Sequence, residues 1–340
     1  MEEKPKILNK LVFHPDFRKV AEEINKSNIR LPPPVSQDLS FDNLLSNKNT
    51  KVTSGVEKEG KFKLDPKKGS EVMSSRIGVV AYDESINKFL TLEGAAYLIS
   101  HSLTVVSEKD YLPSNFVTFN FYTKSKIITK DSKFIKYSED PEKDSNKDYH
   151  QDRTEFIVNN VPENSIILID GPLIGEQATA YTLKLNQMLL KKGVLPIFFV
   201  KNSNSDLVIE NIAELKGKYN SDLHWAHEVL KVGERTCLFR YTDLKNSSNT
   251  KLFCYIKAFG KGAQRVELHP DTYEKFKGEI PAMMNMVYYL MIAQGDPFNP
   301  QVRPIAIAEK YARETIKIVN FSKLMNQLNI TPTMNQARGF

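Results

Sequence analysis

Residues 77–82 (Ile-Gly-Val-Val-Ala-Tyr), 165–169 (Ser-Ile-Ile-Leu-Ile) and 194–200 (Val-Leu-Pro-Ile-Phe-Phe-Val) are short, nearly unbroken apolar runs. Runs of this length, rich in β-branched and aliphatic residues, read as buried strands. The first is followed by Asp83. The second is followed by Asp170, and Gly171-Pro172 stops it sharply. A carboxylate just past a buried strand sits at the rim of a sheet, where open α/β folds place their ligands. Two such carboxylates from neighbouring strands could share a divalent cation, since hard cations take oxygen ligands and assist phosphoryl chemistry.

Between and after these runs the pattern changes period. Residues 179–192 carry Leu183, Leu185, Met188, Leu189 and Leu190 with helical character, and Gly193 stands where a C-cap glycine would. Residues 223–230 read as a helix ended by Gly233. Residues 281–293 are apolar nearly all round, so that helix is buried, and residues 304–319 form the last clear helix. Further strands are expected at 94–106, after a turn near 85–87, and at 117–122, 236–240, 252–257 and 264–268. Strands alternating with helices predict an α/β domain with a mixed central sheet flanked by helices. The polar stretch 138–152 reads as a solvated loop, with a short helix at 152–159.

The first 75 residues differ in composition, being rich in Lys, Glu, Asn, Ser and Pro. They read as an extension: an amphipathic helix at 17–28, an extended Leu-Pro-Pro-Pro-Val linker at 31–35, and a charged segment at 57–68. The main domain is expected at 76–330 and a flexible tail at 331–340.

The 340 residues are 41% hydrophobic, enough for a sizeable core, and the net charge of +6 permits a polyanionic partner without requiring one. Cys237 and Cys254 lie in expected strands and read as buried free thiols. Two cysteines make neither a zinc ribbon nor a secreted disulfide framework. No apolar stretch approaches a membrane span, and the expectation is a soluble, cytoplasmic protein with no membrane partner. Gly260-Lys261-Gly262 lacks the spacing of a phosphate-cradling Walker loop, and residues 171–175 are not a dinucleotide fingerprint. His224 and His227 share a helix face at a spacing that suits zinc, but no third ligand stands near them in sequence. Trp225 between them reads as core.

Further carboxylates follow in order. Glu155, in Asp152-Arg153-Thr154-Glu155, precedes Asp170 by fifteen residues, and a short helix in that gap could fold it back over the strand ends. Glu309 lies on the last helix, after Gly295-Asp296-Pro297-Phe298. Asp83, Glu155, Asp170 and Glu309 could together make an oxygen-rich site for one or two divalent ions. Two ions ~3.5–4 Å apart would activate a water and stabilise the leaving oxygen of a phosphodiester. Each aspartate also has a structural reading, because strand-terminal Asp commonly caps local backbone groups. Lys201, Arg235 and Arg265 end or flank strands, and read either as phosphate contacts or as structural ion pairs.

The order of these motifs resembles the NurA family, nucleases that work with the HerA hexameric ATPase at DNA ends. The resemblance covers residues 76–318. It rests on Val80-Ala81-Tyr82-Asp83-Glu84-Ser85, Arg153-Thr154-Glu155, Ile167-Leu168-Ile169-Asp170-Gly171-Pro172, Phe199-Val200-Lys201-Asn202-Ser203, Gly233-Glu234-Arg235-Thr236 and Arg265-Val266-Glu267-Leu268. It implies an RNase H-like core, Mn²⁺- or Mg²⁺-dependent cleavage of single-stranded DNA or duplex ends, a homodimer and a HerA-type partner. It makes Asp83, Glu155 and Asp170 metal ligands and catalytic residues. The family usually ends its site with Tyr-Pro and, eight residues after the tyrosine, the histidine of Ala-His. Here Asp296-Pro297 and Ala308-Glu309 stand instead, thirteen residues apart. Glutamate replaces histidine readily for hard cations, which makes Glu309 the fourth expected ligand. The same departure leaves open a catalytically inactive, DNA-guiding assembly subunit.

Overall fold

The computed structural model describes residues 50–327 apart from 55, 59, 76–77, 107–109, 131–134, 176–178, 202, 204 and 299. The helix expected at 17–28, the linker at 31–35 and the tail at 331–340 lie outside the described residues. The chain runs β1 (Thr50–Thr53), β2 (Lys61–Lys63), α1 (Pro66–Ser75), β3 (Val79–Leu90), β4 (Ala95–Val106), β5 (Tyr111–Thr123), α2 (Lys126–Thr129) and β6 (Ile135–Tyr137). It continues through α3 (Pro141–Asn160), β7 (Ile166–Asp170), α4 (Thr179–Lys191), β8 (Leu195–Val200), α5 (Asp222–Val229), β9 (Glu234–Thr236) and β10 (Phe239–Asp243). It ends with β11 (Thr250–Lys257), β12 (Gln264–Leu268), α6 (Pro270–Phe276), α7 (Ile280–Gln294), α8 (Arg303–Val319) and α9 (Phe321–Gln327).

The described strands form one mixed sheet in the order β1-β10-β11-β12-β8-β7-β3-β4-β5-β6, with β9 beside β11 and β2 beside β9. Within it, β3, β4 and β5 are an antiparallel meander, while β7 lies parallel to β3 and β8 parallel to β7. The order β5-β4-β3-β7-β8 with these directions is that of the expected RNase H-like core.

Period two in the central strands divides two apolar layers. Val79, Ala81, Ile166, Leu168, Leu195, Ile197 and Phe199 pack with α7 and the start of α8. Val80, Tyr82, Ile167, Ile169 and Phe198 pack with Phe156 and Ile157 of α3 and Leu185 and Leu189 of α4. The apolar α7 is buried as expected, Gly193 (φ +73°) ends α4, and Trp225 and both free cysteines are buried.

Three expectations change. The polar stretch 138–152 is no loop but most of α3. Asp140 caps its N-terminus by accepting from the Lys143 N–H, and Pro141 fills the first turn. Its polar composition hid a buried face made of Tyr149, Arg153, Phe156 and Ile157. The turn expected near 85–87 lies within β3, whose twelve residues all pair with β4, and the chain reverses at Thr91–Gly94 instead. The described part of the expected extension is built into the fold: β1 pairs with β10, β2 with β9, and α1 packs on α7. That packing is close, because a Cβ on Gly69 would fall 2.3 Å from the Asn285 carbonyl oxygen. No helix among the described residues is long and apolar enough to cross a membrane.

Candidate active site

Asp83 and Asp170 stand side by side. Tyr82 is in register with Ile169 across the parallel β3–β7 pair, so the next residue of each strand is an aspartate on the same face. Asp170 is in register with Phe199 of β8, and Lys201 follows two residues on, again on that face. The helix α8 lies across β3 and β4 on the same side and carries Glu309. Four elements distant in sequence thus converge where the β3–β7 pairing stops and β7 and β8 end, Asp83 itself lying within the longer β3 and not past a strand end as expected.

The Lys201 ammonium is their meeting point. Its Nζ is 3.1 Å from Asp170 Oδ2, 3.1 Å from Glu309 Oε2 and 3.6 Å from Asp83 Oδ2. Glu309 also accepts from Gln301 Nε2 at 3.3 Å and pairs with Arg313 one turn further along α8. Asp83 is 5% exposed. Its Oδ1 accepts from the Glu84 N–H at 2.7 Å, while its Oδ2 is buried with no hydrogen bond.

Electrostatics follow from crowding. Burial, then the neighbouring Asp170 and Glu84, push the Asp83 carboxyl up to about 8, against the opposing pull of Lys201. Burial also raises Asp170, although Lys201 and the Gly171 N–H resist it. Burial disfavours the charged Lys201, but Asp170, Asp83 and Glu309 outweigh it and hold the ammonium above its ordinary value. Burial would raise Glu309, yet Lys201, Gln301 and Arg313 hold it below the usual carboxylate range.

The donor set suits a hard divalent cation. It offers three carboxylates, no sulfur, and one buried oxygen lacking any hydrogen bond. The spacing does not yet suit one. Among the described residues no group of three or more His, Cys, Asp or Glu side chains stands ready to hold an ion, because the acids are spread around the ammonium.

Other expected site residues lie elsewhere. Glu155 is exposed on α3, where Oε1 accepts from Gln151 Nε2 at 3.1 Å, and it does not join the three acids. Its place on the inner face of the helix is taken by Arg153, 6% exposed, with its guanidinium 5.2 Å from the Tyr82 ring. Arg235 pairs with Glu57, and Arg265 Nε lies 2.8 Å from Glu267 Oε1. Both arginines are buried, so the structure uses them as internal ion pairs and not as an open phosphate-binding surface. Asp296 accepts from the Phe298 N–H in a turn. His224 Nδ1 and His227 Nδ1 accept from the backbone N–H groups of Asn220 and Gly262.

Sequence reasoning missed the opposite face. There Glu84 accepts from the Tyr149 hydroxyl at 2.6 Å, and the Tyr82 hydroxyl meets His101 Nδ1 at 2.7 Å. The signal was present in Asp140-Pro141, a helix start, followed by Tyr149, Arg153, Phe156 and Ile157 at inward spacing. A cleft of about 860 Å³ opens on this side among Ile86, Tyr97, Ile99, Tyr149, His150 and Pro172.

The NurA domain model matches residues 89–289 of this chain. The match contains Asp170 and Lys201, while Asp83 and Glu309 flank it. No curated protein matches. Among solved structures, the NurA nuclease from Sulfolobus solfataricus aligns with a TM-score of 0.53 at 12% identity, covering 93% of this chain and 98% of that one. That likeness concerns the fold. Endonuclease V of Ciona intestinalis, solved with inosine-containing DNA, aligns more loosely (TM-score 0.38, 11% identity, 73% of this chain and 89% of that one). A NurA bound to dAMP and manganese does likewise (TM-score 0.38, 9% identity, 69% and 84%).

Proposed function

Because the chain belongs to the NurA family, we propose that it is a divalent-metal-dependent DNA nuclease whose centre is built by Asp83, Asp170 and Glu309. The observation that carries this reading is the convergence of three acids from β3, β7 and α8 on one point, the Lys201 ammonium. When bound, Mn²⁺ or Mg²⁺ supplies a Lewis acid for the phosphodiester and a lowered pKa for a coordinated water. The chain's own residues do the rest. Asp83 and Asp170, fixed by strand pairing, would hold the ion together with Glu309 of the helix, which Gln301 and Arg313 steady.

The family resemblance extends the reading to single-stranded or end-bearing DNA, to end processing with a HerA-type hexameric ATPase, and to a homodimer in the cytoplasm. The sequence contains no phosphate-cradling loop of its own, so ATP hydrolysis falls to the partner.

The test uses purified protein and labelled DNA in Mn²⁺, with and without EDTA. Asp83→Ala and Asp170→Ala are each expected to lower metal-dependent cleavage by at least about 10²-fold while the circular dichroism spectrum is kept. Wild-type rates in either variant overturn the assignment. Intact DNA after incubation with wild-type protein, alone and with its ATPase, favours the non-catalytic assembly subunit that Asp296 and Glu309 brought into view.

A further inference from the structure

We infer that Lys201 is a built-in counter-cation, whose ammonium occupies the carboxylate cradle and must leave before a divalent ion can enter. The inference rests on the metal-dependent reading above and adds a property of this chain's own side chain.

Geometry is the first argument. Lys201 Nζ contacts all three acids at 3.1, 3.1 and 3.6 Å. A divalent ion in that cradle needs carboxylate oxygens at ~2.0–2.6 Å. Ion and ammonium therefore cannot share the centre, and loading requires the acids to close in as the lysine withdraws.

Charge is the second. Three carboxylates gathered in a partly buried site repel one another, and burial raises the cost of each charge. One internal cation relieves this while leaving net negative charge, so the cradle stays assembled yet still attracts a divalent ion.

Imperfect fit is the third. Lys201 approaches Asp170 and Glu309 closely, but Asp83 Oδ2 sits at 3.6 Å and forms no hydrogen bond in its buried position. The ammonium thus leaves unsatisfied one oxygen that a centrally placed ion would reach. Lysine also suits a reversible occupant. Its charge is compact and its stem has four flexible carbons, unlike the planar fork of arginine. The Lys201 side chain is 21% exposed, so a path to solvent exists.

The experiment is calorimetric titration of Mn²⁺ into full-length protein without DNA, for wild type, Lys201→Met and Lys201→Gln. The glutamine keeps similar length and polarity should the methionine variant fold poorly. Both variants are expected to bind Mn²⁺ at least tenfold more tightly than wild type. In metal-free buffer both are expected to melt at lower temperature than wild type, with a larger rise on adding Mn²⁺. Lysine acting only to position the acids predicts weaker binding in the variants, and that result overturns the proposal. Equal affinities overturn it too, while the metal-dependent reading survives because wild type binds. If neither wild type nor the variants bind Mn²⁺, both readings fall.

Discussion

His101 shows how much one side chain can make the molecule depend on pH. It is buried between Tyr82, Phe116 and Tyr149, and burial, with Arg153 adding to it, pushes its imidazole down to about 4. A folded value below the ordinary one means that the fold holds His101 neutral. Its contribution is complete above the unfolded value near 6.5 and is lost as pH falls toward 4. The expected loss is of order 2–3 kcal/mol over that window. Urea titrations at pH 7 and pH 4 measure it, and His101→Gln should shrink the drop by about 2 kcal/mol; an undiminished drop in the variant refutes this account. At this scale the sequence was partly legible. Asp170 could be placed because it ends β7, whereas Asp83, read as following a strand, lies within β3 and meets Asp170 through the register of the β3–β7 pair. Lys201, read as a phosphate contact or a structural ion pair, turned out to face the acids, since only the sheet order reveals which charges a strand end will meet. Glu155 reads as a ligand because it is a carboxylate in a family-like motif, whereas the inward spacing of Tyr149, Arg153, Phe156 and Ile157 puts Arg153 inside and Glu155 out.

Elements were legible where apolar periodicity was strong, and illegible where polar side chains built the inner face. The strands expected at 94–106, 165–169, 194–200, 252–257 and 264–268 and the apolar α7 lie nearly at their observed bounds. The strand expected at 77–82 instead runs on to Leu90, and the one expected at 236–240 is divided between β9 and β10. Most of α3 was not, because Asp148 is tied by the Tyr122 hydroxyl and Lys136, both at 2.6 Å, where a hydrophobic contact would have left a pattern. The docking of α1 on α7 gives a test at this scale. Gly69 is the point of closest approach, with the Asn285 carbonyl and the Tyr289 Cβ in the space a methyl group needs, and Asn285 Oδ1 accepts from the Asp65 N–H just before α1. Gly69→Ala should therefore lower stability by about 1–3 kcal/mol despite its gain in helix propensity. A chemical-denaturation midpoint unchanged from wild type would show that the two helices part without cost.

For the whole molecule, the described residues between 50 and 75 matter more than their composition suggests. They add two strands to the sheet and cover α7, and they bring Glu57 to the buried Arg235. Removing residues 1–75 should leave that guanidinium unpaired, at a cost of about 3–5 kcal/mol, on top of a bare sheet edge. The shortened protein is expected to be insoluble or to melt well below wild type; a soluble product with the wild-type melting temperature would restore the boundary at residue 76. The far half of the sheet is fastened to the centre by Glu267, which pairs with Lys251 at 2.6 Å and accepts from the Leu173 N–H at 2.8 Å, three residues past Asp170. Finally, β3 gives neighbouring acids opposite duties, Asp83 toward the Lys201 cluster and Glu84 toward Tyr149. A chain that mispaired this strand by one step would still form a sheet and still end it on an acid. It would set glutamate where aspartate belongs and turn tyrosine to the wrong side. The twelve-rung ladder between β3 and β4 is thus the ruler that decides which acid faces Lys201.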